Sequence, residues 1–89
     1  MPEKIVAINN KLGLNARAAA RFVRASTQFK CDILLTWRDI EVDAKSIMGV
    51  MMLAAPVGAK IRIRADGEDA HDAVEQLTAL LLNDLSDKI

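Results

Sequence analysis

Tyrosine is absent from this 89-residue chain, and cysteine, tryptophan and histidine occur once each. The lone cysteine, Cys31, rules out an intramolecular disulfide and suits a reducing compartment. Its plainest role is that of a small, partly buried filler. Phe22, Phe29 and Trp37 are the only aromatics, few for the stacking platforms of nucleic-acid binders. Net charge is missing too. Twelve basic and twelve acidic residues cancel, so no whole-molecule field draws the chain to nucleic acid or to a membrane surface. No apolar run approaches the roughly 20 residues that span a bilayer. Met1-Pro2-Glu3-Lys4 leads into the first strand without a signal-peptide pattern. The expected protein is soluble and cytoplasmic, monomeric, and free of metal and cofactor. It contains no internal repeat, linker or low-complexity tract, so 1–89 reads as one domain, small enough to be marginally stable.

What is present is apolar periodicity, in a sequence that is 52% hydrophobic. Lys4 to Ile8 alternates, with Val6 and Ile8 on one face, and reads as a strand. Gly13 makes a turn and Asn15 is a suitable N-cap for a helix over Ala16 to Thr27. Ala19, Phe22, Val23 and Ser26 form the apolar stripe of that helix. Cys31 to Trp37 and Ile40 to Asp43 read as strands joined by the two-residue turn Arg38-Asp39. Ser46 precedes a short apolar helix over Ile47 to Leu53, closed off by Pro56 and Gly58. From Ala59 to Ala65, Lys60, Arg62 and Arg64 alternate with Ile61, Ile63 and Ala65, the pattern of a half-buried strand. After Gly67, Asp69 and Asp72 are spaced as a cap and its third-position acid. Ala70 to Leu85 then forms a helix with Ala70, Ala73, Val74, Leu77, Leu81 and Leu85 on one stripe. The order β-α-β-β-α-β-α predicts an α+β fold, an antiparallel sheet with helices on one side. A ferredoxin-like split arrangement also fits the pattern.

Chemistry concentrates at Gly13-Leu14-Asn15-Ala16-Arg17. A helix N-terminus presents unpaired N–H groups and the positive end of a dipole, which favour an anion. Arg17 adds a guanidinium in the first turn, where the dipole disfavours a cation. An anion held by Arg17 and the backbone of Ala16 and Arg17 accounts for that placement. Arg17, Arg21 and Arg24 recur along one helix face with no acid in the helix to pair with them. They read as a solvated face, or as a basic rim complementary to an acidic partner. Ile47, Met48, Val50, Met51, Met52 and Leu53 surround most of the second helix, more than a sheet can cover. Ile47, Met48 and Met51 are expected to project outward beside Asn15 and Arg17 as an adaptable docking patch. His71 falls in the first turn of the last helix and reads as an exposed surface residue.

Gly13-Leu14-Asn15-Ala16-Arg17 together with Ala44-Lys45-Ser46-Ile47-Met48-Gly49-Val50-Met51 resembles the HPr family over nearly all of the chain. Those proteins are small phosphocarriers of the bacterial phosphoenolpyruvate-dependent phosphotransferase system. The resemblance implies an open-faced β-sandwich, a four-stranded antiparallel sheet with three helices on one face. It implies a carrier acted on by other enzymes rather than an enzyme, with enzyme I and sugar-specific components of the system as partners. Family members carry the phospho-acceptor histidine where this chain has Asn15. A carboxamide nitrogen is delocalised and non-basic, so phosphorylation at Asn15 is not expected. Ala18 stands where proline is common. Ser46 matches a serine that a dedicated kinase/phosphorylase modifies in many members, for reading by a transcriptional regulator. Asn15 suits either an engineered block or a Crh-like paralogue, a class in which glutamine replaces the histidine and the serine-linked role remains. An anion-binding interaction module without phosphotransfer is the alternative. An acylphosphatase-like hydrolase ranks below both, because no acid–base pair can be placed beside Asn15.

Overall fold

A computed structural model describes residues 2–83. Within them run β1 (Glu3–Ala7), α1 (Ala16–Ser26), β2 (Asp32–Trp37), β3 (Ile40–Asp43), α2 (Ile47–Leu53), β4 (Lys60–Asp66) and α3 (Ala70–Leu82). The strands form one antiparallel sheet in the order β1-β4-β2-β3. The expected element order is therefore observed. The expected strand at Ala59 begins one residue later, and Leu85 lies outside the described residues.

Register explains why the sheet has one dry face. Ile63 of β4 stands opposite Lys4 on one side and Leu35 on the other, and Leu35 stands opposite Val42. One residue along, Arg62 stands between Ile5 and Thr36, and Thr36 opposes Glu41. Side chains alternate between faces along a strand, so the first row points to the helices and the second to solvent. Val6, Ile33, Leu35, Ile61, Ile63 and Ala65 are buried beneath the helices. Phe22 of α1, Val50 and Leu53 of α2, and Ala73, Leu77 and Leu81 of α3 complete the core. Ala18 is fully buried although it lies outside the expected stripe, whereas Val23 only packs partly against the core. Gly49 lets α2 approach β3: a Cβ there would lie 3.3 Å from the Val42 Cβ.

One expected cap is not made. Asp69 does not cap α3 with its side chain. Instead its carboxylate oxygens accept from the backbone N–H groups of Lys30, at 2.8 Å, and Cys31, at 3.0 Å. The Lys30 hydrogen bond is the main reason its carboxyl is held below the usual range. Cys31 is buried against this corner, as the filler role requires. Burial first, then the hydrogen bond and charge of Asp69, push its thiol up to about 11, which keeps it protonated and unreactive at neutral pH.

Candidate functional site

The loop between β1 and α1 delivers Asn15 by three local devices. Gly13 turns at φ +68°, a left-handed conformation, and the Gly13 N–H donates to the Asn10 carbonyl. Asn10, fully buried, donates its side-chain amide to the Gly13 carbonyl, so the loop is tied on both sides of Lys11-Leu12. Leu14, also buried, donates its N–H to the Ala55 carbonyl at 2.9 Å. The approach to Ala55 is close enough that a Cβ on Gly13 would sit 2.4 Å from that same oxygen. The start of α1 is thereby docked on the segment that follows α2.

Asn15 then caps α1. Its backbone is extended (φ −77°, ψ −177°), and its Oδ1 accepts from the Ala18 N–H at 2.9 Å. The Asn15 carbonyl takes the Ala19 N–H at 2.8 Å. Among the described residues the N–H groups of Ala16 and Arg17 have no acceptor, and both residues are exposed. They are the orphan donors of a helix start, with the positive dipole end behind them. Asn15 lies in a shallow depression of about 400 Å³ walled by Leu12, Leu14, Ala16, Met51, Ala54, Ala55 and Pro56. Ala16 also borders a second depression of about 440 Å³, lined by Arg17, Ala20, Arg21 and Arg24. The residues singled out on α1 therefore adjoin one another. Arg17 and Arg24 are exposed and Arg21 is half-buried.

The apolar helix is exposed as expected, with a different emphasis. Met48 and Met52 are the most open, at 71% and 70%, with Ile47 and Met51 at 42% each. Only Met51 reaches the wall of the Asn15 depression; Ile47 and Met48 extend the apolar surface beyond it. Ser46 caps α2, its Oγ accepting from the Gly49 N–H at 3.1 Å. Ser46 is partly exposed and lies at the far end of α2 from Ala54 and Ala55. Seven helical residues put about 10 Å between the two ends. Asn15 and Ser46 are thus separate sites linked by one apolar helix. His71 is exposed at the start of α3, outside both depressions.

Sequence reasoning missed the second wall of the site. Ala54 ends α2 in the left-handed region, at φ 50°, and with Ala55 and Pro56 it faces Asn15. Pro56 and Gly58 signalled a break, but nothing local signals that this break meets Gly13. Buried Asn10 was equally hidden, because an asparagine in a loop is ordinarily solvated.

The arrangement offers an anion two backbone donors and an arginine beside an adaptable apolar surface. It offers no nucleophile at Asn15. The matching family model, described as the HPr component phosphorylation site of the phosphotransferase system, spans residues 2–83. The phosphocarrier protein HPr of Xylella fastidiosa is 48% identical over 83 residues, covering 93% of each chain. The HPr-like protein Crh of Bacillus subtilis is 42% identical over 79 residues, covering 89% of this chain and 93% of its own. The crystal structure of an HPr from Thermoanaerobacter tengcongensis superposes with a TM-score of 0.93 at 35% identity and covers both chains completely. Family model, sequence identity and whole-chain superposition agree, and the chain belongs to the HPr family of phosphocarrier proteins of the phosphotransferase system.

Proposed function

We propose that this chain keeps the docking surface and anion-holding backbone of a phosphocarrier while Asn15 blocks phosphate transfer at the acceptor position. The observation that carries this reading is the Asn15 side chain itself. Its oxygen is engaged as the cap on Ala18, and its amide nitrogen has no basic lone pair to attack a phosphoryl group. In this reading Arg17 and the N–H groups of Ala16 and Arg17 hold phosphoryl oxygens. Arg21 and Arg24 meet acidic groups of a partner, and Ile47, Met48 and Met51 bury against its apolar surface. The partners are enzyme I and the sugar-specific components, for which the chain competes with active carriers.

Ser46 gives the chain a second input. Phosphate on its Oγ lies at the positive end of α2, adjacent to Ile47 and Met48, so it adds charge to the docking surface without remodelling the helix. A serine kinase/phosphorylase would write that mark and a transcriptional regulator would read it. This is the Crh-like form of the reading, and the Ser46 cap at the exposed start of α2 supports it.

Intact mass tests both halves. The chain is expected to gain no phosphate from phosphoenolpyruvate and enzyme I, and one acid-stable phosphate on Ser46 from ATP and the serine kinase. Asn15→His is expected to gain one acid-labile phosphate from phosphoenolpyruvate. A folded Asn15→His that a cognate enzyme I leaves unlabelled would count against the carrier scaffold. Met48→Asp is expected to weaken enzyme I binding about tenfold with an unchanged melting temperature, since its side chain is exposed. Unchanged affinity would remove α2 from the docking surface.

A further inference from the structure

The face of the sheet away from the helices carries a basic pocket that the carrier reading does not use. Ile5, Thr36, Arg38, Lys60 and Arg62 line a depression of about 250 Å³ there. Strand register accounts for it: Arg62 lies between Ile5 and Thr36, and Lys60 lies opposite Ala7. Lys60, Arg62 and Arg38 are exposed, and among the described residues none of the three has an acidic partner. Glu41 shares the row with Arg62 and Thr36, but its carboxylate is committed to the Arg64 guanidinium at 3.2 Å. The Thr36 hydroxyl gives its one O–H to Glu41 in a long contact, 3.4 Å, weak enough for the O–H to turn to a ligand in the pocket.

Arg38 is the second observation. It opens the two-residue turn between β2 and β3 with φ 57°, a conformation that glycine or asparagine adopts more easily. The guanidinium is nevertheless fixed, stacked 4.5 Å from the centroid of the Trp37 ring. The turn itself calls for a positive φ, and the Trp37 ring, not the backbone, places the Arg38 guanidinium at the pocket rim.

The geometry points to a binding site for a small phosphate monoester, held as a dianion by Arg38, Lys60 and Arg62, with Thr36 as hydroxyl donor and Ile5 beneath the ester's carbon body. Three cations without counter-ions complement a dianion, and arginine forks match phosphate oxygens. The volume sets the size of the guest, since it falls below that of ordinary drug-sized pockets, about 300–1,000 Å³. This site lies across the sheet from Asn15 and Ser46 and stands or falls independently of the reading proposed for them.

Titrating the full ¹⁵N-labelled chain with glycerol 3-phosphate, with glycerol as the neutral control, tests it by amide shifts. Saturable shifts at Thr36, Arg38 and Arg62 are expected with the phosphate ester and not with glycerol. Arg62→Gln and Lys60→Gln, both exposed and outside the core, are each expected to weaken binding about tenfold with an otherwise unchanged spectrum. Shifts confined to Ala16 and Arg17 would overturn the assignment, as would shifts that grow linearly at every lysine and arginine. A face that answers only to a hexaglutamate peptide or an oligonucleotide, and not to the phosphate ester, would overturn it in favour of a polymeric partner.

Discussion

Asn15 and Asp69 each stand just before a helix, and they spend their side chains in opposite ways. Asn15 turns its oxygen onto its own helix, at Ala18. Asp69 turns both oxygens away, onto Lys30 and Cys31, which are 39 and 38 residues distant. Backbone shape separates the two. Asn15 is extended, as a capping residue must be, whereas Asp69 sits at φ −99°, ψ 22°. The difference has a functional side. The α1 end keeps the Ala16 and Arg17 N–H groups open beside a guanidinium, so its positive pole is offered outward. At the α3 end, Asp72 occupies the first turn, so the positive pole already has a carboxylate beside it. In the reading proposed above the first helix start receives an anion, whereas the carboxylate at the second ties the chain to Lys30 and Cys31.

The largest expected effect comes from breaking the frame of the Asn15 end. Gly13→Ala forces a Cβ into the Ala55 oxygen and holds alanine at a left-handed φ. A loss of about 3 kcal/mol is expected in urea unfolding. Gly58→Ala is the matched control, because φ is also positive there but the space is open. Its expected cost is about 1 kcal/mol, and equal losses would show that the contact with Ala55 contributes nothing.

Breaking the other end comes next. Asp69→Ala leaves two backbone N–H groups without their acceptor and is expected to lower the urea midpoint at neutral pH. The sign of the pH dependence follows from the lowered carboxyl value. Stability from this tie is present above the unfolded-state value and is lost as pH falls through the lower folded-state value. The gap between parent and variant should therefore close in acid. A gap independent of pH would mean that the ionised carboxylate is not what matters.

The smallest effect sharpens the Asn15 side. Ala54 occupies the left-handed region at the end of α2, in the wall facing Asn15. Ala54→Gly relieves that conformation, and a gain of about 0.5–1 kcal/mol is expected in thermal unfolding. A loss would mean that the Ala54 methyl group contributes more by packing than its backbone costs.

Much of this was legible locally. Alternation in Lys60-Ile61-Arg62-Ile63-Arg64-Ala65 is a property of one strand and needs no partner to be read. Asn15 and Ser46 announced their caps because a cap is completed within three residues. Exposure of Met48 followed from counting, since a helix apolar around most of its circumference cannot bury all of it. The two-residue turn at Arg38-Asp39 was legible between two β-rich runs even without the usual Asn-Gly or Gly signal, but the stacking of Arg38 on Trp37 was not.

What stayed hidden involves partners far apart in the chain. Asp69 and Asp72 had capping spacing, yet two orphan N–H groups at Lys30 and Cys31 competed for the same carboxylate and won. Asn10 is buried with its side-chain amide on the Gly13 carbonyl, a burial that an asparagine in a loop does not announce. The basic pocket on the open face needed strand order, because only the pairing of β4 between β1 and β2 sets Arg62 between Ile5 and Thr36. Local pattern was enough to read the seven elements, most of the faces they bury and the family whose motifs the chain carries, although it left Ala18 out of the α1 stripe. Which polar groups meet across the chain came only from the packed fold. Periodicity and caps act over a few residues, whereas such meetings depend on close packing among segments that sequence distance does not encode.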